Sequence, residues 1–157
     1  MIWVEKMSAR SSDSSANEPG VLVSFDPPAA PTDVDSSRIR RLVENILVSE
    51  KIVWSQIGII FTGHDRLRSL HRDFLGNDFN TDVLSFLLED TDDGIEGEVY
   101  VDVETAAERY EEFATTVGGE IERYVAHGIL HLAGYLDDSR EGKQQMGKLE
   151  SEYLASL

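Results

Sequence analysis

The sequence predicts an α+β fold in which a small mixed four-stranded sheet is covered by helices. Four short apolar runs are bounded by turn residues, as β-strands are, and five longer segments repeat apolar residues at helical spacing. These segments follow one another in the order βαβαββααα, which favours a mixed sheet with helices packed on it. A chain of 157 residues, 41% of them hydrophobic, is long enough for one domain with a sizeable core.

A polar tail precedes the predicted domain. Residues 1–20 are predicted to be a disordered N-terminal tail, because most of this segment is rich in serine and poor in apolar residues. Residues 21–157 are predicted to form a single domain. The opening residues MIWVEKM are charged where a signal peptide needs an apolar run, so we expect a cytoplasmic protein.

The first half of the domain alternates strands with helices. The run VLVSF predicts the first strand, and the prolines that follow end it. Ser36 and Ser37 are typical of a helix N-terminus, and Gly76 is typical of a helix end. The predicted elements are a strand at 21–25, a helix that follows Ser36 and Ser37, a strand at 56–61 and a helix at 64–75.

The second half places two strands before three helices. The runs DVLSFLL and GEVYVDV each predict a strand. Gly118 and Gly119 interrupt the helical pattern and are predicted to separate two helices. The predicted elements are strands at 82–88 and 97–103 and helices at roughly 104–116, 119–133 and 140–155.

Composition and charge exclude several classes of function. The absence of cysteine excludes disulfides, thiolate metal sites and cysteine nucleophiles, and no apolar run approaches the ~20 residues of a membrane span. The formal net charge is −16, but residues 89–122 hold thirteen acidic side chains and one basic one, whereas residues 38–78 hold five acidic and seven basic ones. The acidity argues against tight nonspecific binding of nucleic acid. Residues 38–78, with their slight excess of basic side chains, are the part of the chain where RNA would be repelled least.

The segment HGILHLAGYLD, at 127–137, concentrates the residues that carry chemistry. His127 and His131 are four residues apart and therefore share one face of a helix. Gly134 can let the chain turn out of the helix, and Asp137 can then fold back towards the two imidazoles. Two histidines and a carboxylate, with a fourth position left for water, are typical of a catalytic zinc site. The pattern predicts one zinc ion or another divalent transition metal.

The spacing is also that of the metzincin zinc proteases, H-E-x-x-H-x-x-G-x-x-H. Gly128 stands where those proteases carry the glutamate general base, and Asp137 stands at the third histidine. Without that base the bound water lacks its usual proton acceptor, which argues against peptidase chemistry.

Other motifs accompany the metal segment in a fixed order. TDVLSF, at 81–86, follows HRDFLGNDFN and precedes GEVYV, at 97–101, and the 127–137 segment. This series strongly resembles the YbeY family of endoribonucleases and rRNA maturation factors over roughly residues 21–155. Each motif alone is short, but their order and spacing together are specific.

The resemblance implies a single-domain fold with one zinc ion held by His127, His131 and Asp137. It implies a single-strand-specific endoribonuclease, a hydrolase of phosphodiester bonds, that acts in maturation of the 3′ end of 16S rRNA and in ribosome biogenesis and quality control. The implied partners are rRNA, the small ribosomal subunit and ribosomal proteins, without DNA or a membrane. The strand residues implied beside the metal cleft are Thr81, Asp82 and Ser85.

The sequence departs from the family pattern at two positions. The family's third metal ligand is usually histidine, whereas this chain has Asp137. The family's arginine before the TDVLSF strand, implicated in activity and RNA contact, is replaced by Leu75. Arg72, one helical turn earlier, is therefore a hypothetical RNA contact and catalytic candidate. Asp138, next to the metal site, is the other catalytic candidate, because the motif contains no obvious general base.

Three functions are compatible with the sequence, and we expect the one that is given first. It is a metal-dependent endoribonuclease acting on rRNA. The second is a non-catalytic ribosome-assembly factor in which zinc stabilises the fold, and Leu75 favours it. The third is a zinc metallopeptidase, which Gly128 opposes.

Overall fold

The computed structural model describes residues 2–4, 18–26, 34–76 and 81–157. The strands are β1 (Ile2–Val4), β2 (Gly20–Phe25), β3 (Trp54–Thr62), β4 (Val83–Thr91) and β5 (Gly94–Asp102). The helices are α1 (Ser36–Ser49), α2 (His64–Leu75), α3 (Val103–Arg109), α4 (Val117–Leu132) and α5 (Arg140–Ala155), with a 3₁₀ turn over Tyr110–Phe113 after α3.

The strands form one mixed sheet in the order β1-β4-β5-β3-β2. β4 and β5 pair as an antiparallel hairpin, whereas the other neighbouring strands are parallel. The predicted α+β class, with a mixed sheet covered by helices, is confirmed. β1 is a fifth strand that the sequence did not predict, because three residues are too few to show a strand pattern. It lies within the predicted tail, of which residue 1 and residues 5–17 are outside the described residues, and the division into tail and domain stays a prediction.

The helices cover the two faces of the sheet unequally. Side chains alternate between the faces along each strand, so Val83 of β4 faces one side and Leu84 the other. The larger core lies on the first side and includes buried side chains of α1, α4 and α5. On the second side Leu67 and Leu70 of α2 pack with Leu84 and Phe86. α2 and α4 therefore lie on opposite faces of the sheet.

The helix boundaries around the glycine pair differ from the prediction. Gly118 and Gly119 lie inside the first turn of α4, and the break falls earlier, where Ala114 has a φ of 51°. Thr116 begins α4 because its hydroxyl accepts a hydrogen bond from the backbone N–H of Gly119 at 3.0 Å. The end of α2 at Gly76 is as predicted, since this glycine takes the left-handed conformation with a φ of 70°.

Candidate metal centre

The two histidines of the metal segment are placed by the packing of α4 on the sheet. Gly128 faces the sheet so closely that an added Cβ would lie 2.4 Å from Cγ1 of Val99. The hydroxyl of Ser85 donates a hydrogen bond to the carbonyl oxygen of Gly128 at 2.8 Å, beneath the helix. His127 and His131 point to the side of this contact and are only 7% and 2% exposed.

The chain leaves α4 through a glycine turn that returns Asp137 to the histidines. Gly134 has a φ of 101°, and the N–H of Tyr135 donates to the carbonyl of Leu130 at 3.0 Å, as at many helix ends. The hydroxyl of Tyr135 donates to Glu50 Oε2 at 2.8 Å and fixes this turn to the end of α1. The Asp137 oxygens lie 3.3 Å from Nε2 of His127 and 3.6 Å from Nε2 of His131.

The three side chains converge on one point with ligand atoms. Nε2 of His127 and Nε2 of His131 are 2.9 Å apart, and one ligand atom from each of the three residues lies within 4.8 Å of the others. Two nitrogens bound to one tetrahedral zinc at ~2.0–2.1 Å are roughly 3.3 Å apart. The two nitrogens would therefore need to move apart by only a few tenths of an ångström, roughly the difference between these two nitrogen–nitrogen distances, to hold an ion.

The outer ring nitrogens of both histidines contact acceptor atoms. Nδ1 of His131 donates to the carbonyl oxygen of Tyr135 at 2.9 Å, and Nδ1 of His127 contacts Oε1 of Glu150. Both partners are acceptors, so each Nδ1 carries a proton, and a ring that holds only this proton presents a lone pair at Nε2. Two imidazole lone pairs and a carboxylate then face one another, which is an arrangement that a cation satisfies.

The electrostatics of His131 support this protonation state. Burial lowers the pKa of His131, and the neighbouring His127 lowers it further, although the charge of Asp137 opposes both effects. The neutral imidazole is the form that binds a metal. The donor set of two imidazole nitrogens and one carboxylate fits zinc, and iron and nickel take the same donors.

A second group with metal-ligating side chains lies at the start of α2. His64, Asp102 and Glu104 also bring one ligand atom each within 4.8 Å. Nδ1 of His64 is 2.5 Å from Oδ2 of Asp102, and Nε2 is 3.2 Å from Oε1 of Glu108. Burial lowers the pKa of His64, but the hydrogen bond to Glu108 and the charge of Asp102 outweigh it and raise the pKa overall. This imidazole therefore retains a proton more readily than an isolated histidine.

The strand residues predicted beside the metal cleft contribute in different ways. Ser85 is fully buried and supports α4 from beneath. The hydroxyl of Thr81 donates to the carbonyl of Val83 at 3.0 Å, at the start of β4. The backbone carbonyl of Asp82 accepts a hydrogen bond from the N–H of Asp102 at 2.9 Å, and burial and then the charge of Asp82 raise the pKa of Tyr124 on α4.

The two catalytic candidates lie in different surroundings. Asp138 is exposed and follows the ligand Asp137 directly. Arg72 is in the last turn of α2, on the other face of the sheet from α4, with Nε 3.9 Å from Oδ1 of Asp73. The structure therefore brings Asp138, but not Arg72, to the side of the sheet that carries the metal ligands.

Residue 128, where the metzincin proteases carry their general base, has no room for a side chain in this fold. A side chain at residue 128 would enter the contact between α4 and the strands, where an added Cβ is 3.0 Å from Cγ1 of Val83 and 3.1 Å from Oγ of Ser85. A glutamate there would displace packed strand atoms, so this helix cannot supply that base from residue 128.

Glu150 and Arg123 are the site residues that sequence reasoning missed. Glu150 of α5 contacts His127, and its Oε2 lies 3.3 Å from Nη1 of Arg123. Glu150 is 23 residues from His127 in sequence, so no local spacing reveals the pair. The one sequence feature that could have indicated this role is that Glu150, four residues after Met146, lies on the same side of the helix as Met146, which is buried in the core.

Comparisons with known proteins give consistent matches over most of the chain. A family model described as Endoribonuclease YbeY matches residues 29–157. A protein named Endoribonuclease YbeY from Salinibacter ruber is 39% identical over 133 residues, covering 80% of this chain and 85% of that protein. One of the same name from Chloroherpeton thalassium is 31% identical, covering 80% and 88%. The solution structure of TM1509 from Thermotoga maritima has a TM-score of 0.54 at 27% identity, covering 86% of this chain and 87% of that one.

Proposed function

The chain belongs to the YbeY endoribonuclease family, and on this premise we propose that it is a metal-dependent endoribonuclease that cleaves single-stranded RNA during rRNA maturation. The observation that carries the metal dependence is the cluster of His127, His131 and Asp137, in which two imidazole nitrogens and a carboxylate oxygen lie within 4.8 Å of one another. We propose one zinc ion as the cofactor, maturation of the 3′ end of 16S rRNA as the reaction and the cytoplasm as the location. Every helix of the described residues is too short or too polar to cross a bilayer.

We propose separate tasks for the residues of the centre. When bound, the metal supplies a Lewis acid that polarises a phosphodiester oxygen or lowers the pKa of a water molecule. His127 and His131 offer neutral nitrogens to it, and Asp137 adds a negative charge beside them. Asp138 is the proposed proton acceptor, because it is the exposed carboxylate next to the ligand set.

RNA must approach a chain whose net charge is −16. Few phosphates can then be neutralised by the protein itself, so we propose weak nonspecific binding and docking on the small ribosomal subunit through a ribosomal protein. Arg72 contacts RNA only if the strand passes around the sheet from the metal face to α2. An Arg72→Ala variant with unchanged RNA binding and cleavage would remove this residue from the proposal.

The test of function is RNA cleavage by purified, metal-quantified protein. Wild type, His127→Ala and the matched histidine variant His64→Ala are incubated with single-stranded and duplex RNA of the same sequence. We expect wild type and His64→Ala to cleave the single strand and His127→Ala to lose this activity. Equal cleavage by all three would indicate a contaminating nuclease and contradict the proposal.

A non-catalytic assembly factor is the second candidate, favoured by Leu75 at the position of the family arginine. Leu75 packs with the apolar residues between α2 and the sheet, so it offers no charge to RNA. Wild-type protein that retains metal and binds small-subunit precursors but leaves RNA intact would support this second function.

A further inference from the structure

The buried glutamate of α5 has a position that packing alone does not explain. Among the residues of α5, only Met146 and Glu150 are buried, and Glu150 is 6% exposed. Burying a carboxylate costs free energy unless it is paired. A protein with an apolar residue of similar volume at such a position is often as stable or more stable. A charged residue at one of the two buried positions of a helix therefore points to a task other than packing.

The contacts of Glu150 identify that task. One carboxylate oxygen contacts Nδ1 of His127, and the other lies 3.3 Å from Nη1 of Arg123. Arg123 is four residues before His127 on α4, so the carboxylate spans one turn of the helix. It holds the imidazole so that Nε2 points at His131 and Asp137.

The two imidazoles of the centre are held by different kinds of acceptor. The partner of His131 is a neutral backbone carbonyl, that of Tyr135, in the turn that follows α4. The partner of His127 is the carboxyl side chain of Glu150, which comes from another helix, and a carboxylate on the outer nitrogen raises the basicity of a metal-bound imidazole. His127 therefore depends on the docking of α5, whereas His131 is oriented by its own segment.

We propose that Glu150 is a positioning residue of the metal centre, which fixes the orientation of His127 and strengthens it as a ligand, with Arg123 holding the carboxylate in place. This inference rests on the proposed function, because it requires a metal at His127, His131 and Asp137.

The test measures zinc affinity in the isostructural variant Glu150→Gln. Affinity for Zn²⁺ is determined by competition with a chromophoric chelator, and the Co²⁺ absorption spectrum reports the ligand geometry. We expect affinity about 10–100-fold weaker than wild type, as for other carboxylates that orient a ligating histidine, and an altered Co²⁺ spectrum. Glu152→Gln is the matched control, since its side chain is 58% exposed on the same helix and pairs with Lys148; we expect wild-type values.

A purely structural role of Glu150 makes a different prediction. It would lower the stability of the metal-free protein and leave the zinc affinity and Co²⁺ spectrum of the folded protein unchanged, which would overturn this inference alone. A wild type that binds no zinc would overturn both this inference and the proposed metal dependence. If Glu150→Gln does not fold, Glu150→Asp replaces it, and wild-type affinity with the carboxylate withdrawn by one methylene would equally overturn the inference.

Discussion

Within the described residues, two clusters combine histidine with carboxylates, and the pKa of His131 in one cluster and of His64 in the other shift in opposite directions. In the metal centre, two imidazoles face each other and one carboxylate, and burial together with His127 lowers the pKa of His131. In the cluster at the start of α2, the single imidazole of His64 faces carboxylates with both ring nitrogens, and its pKa is raised.

The difference shows that residue types alone do not predict a metal site. Both clusters bring three ligand atoms within 4.8 Å. Around His64 the positive charge that the carboxylates require is supplied by a proton on the ring. In the metal centre the outer ring nitrogens already use their protons on Glu150 and on the carbonyl of Tyr135. Burial and His127 disfavour a second proton on His131, and a cation bound at the inner nitrogens would place positive charge beside Asp137.

The largest expected effect is the gain in the free energy of unfolding when zinc binds, and it distinguishes the metal centre from the cluster at His64. At a free zinc concentration 1,000-fold above the dissociation constant, binding to the folded state adds about 4 kcal/mol to the free energy of unfolding. We expect this gain in wild type and in His64→Ala, but not in His131→Ala. Chemical unfolding with and without Zn²⁺ measures it. Loss of the gain in His64→Ala would show that zinc binds the other cluster.

The next effect tests whether Asp137 completes the metal centre. Outer-sphere changes cost about 10–100-fold in metal affinity, so removing a direct ligand in Asp137→Ala should cost more than about 100-fold. Asp137→His restores a ligand at this position and should bind zinc more tightly than Asp137→Ala. Titration against a zinc chelator measures both variants.

The control for Asp137 is Asp92→Ala, which removes an exposed carboxylate from the turn between β4 and β5. It should keep the wild-type affinity. An equal loss in Asp92→Ala would mean that net charge, rather than a ligand, sets the affinity.

The sequence predicted those parts of the molecule that depend on local pattern. The alternation in β3 to β5 and the helical spacing in α1 and α2 identify elements whose boundaries are within a few residues of the structure. His127, His131 and Asp137 were found because helix periodicity and one glycine turn bring them together. All of these relations span fewer than about fifteen residues, within reach of a sequence pattern.

The remaining parts depend on tertiary contacts. Glu150 meets His127 only because α5 packs against α4, and His64 meets Asp102 only because parallel β3 and β5 end at the same edge of the sheet. The placement of Arg72 depends on the face of the sheet that α2 covers. Helical spacing in the sequence does not specify this face.

A smaller effect is expected when the buried carboxylate of the second cluster is removed. Asp102 caps α3 by accepting from the N–H of Thr105 at 3.0 Å, and it also holds His64. Asp102→Ala should lower the free energy of unfolding by about 1–2 kcal/mol, as for other lost helix caps, with zinc affinity unchanged. Urea unfolding and zinc titration of the same sample measure both quantities.

Asp35→Ala is the matched control for Asp102. Asp35 caps α1 through the N–H groups of Ser37 and Arg38 and is exposed. The excess loss in Asp102→Ala over Asp35→Ala therefore reports the contact with His64 and the burial of the carboxylate. A smaller loss in Asp102→Ala than in Asp35→Ala would contradict a stabilising second cluster.

The smallest effect is a pH dependence of stability that originates in His64. Its pKa in the folded protein is above the ordinary value of about 6.5, so the folded state binds the proton more tightly than the unfolded state. The resulting stabilisation is fully present below about pH 6.5 and is lost as the pH rises through the folded-state pKa. The side chain is 41% exposed, so solvent screening limits the contribution to below about 1 kcal/mol.

The measurement compares wild type with His64→Gln by urea unfolding from pH 5 to 9, in metal-free protein so that zinc linkage does not contribute. The carboxylates that face the ring belong to Asp102, Glu104 and Glu108. The stability advantage of wild type should therefore shrink as the pH rises and should also shrink with added salt. An advantage that grows with pH would mean that burial, which favours the neutral ring, outweighs the carboxylates at His64 as it does at His131. The electrostatic contrast between the two clusters would then be wrong.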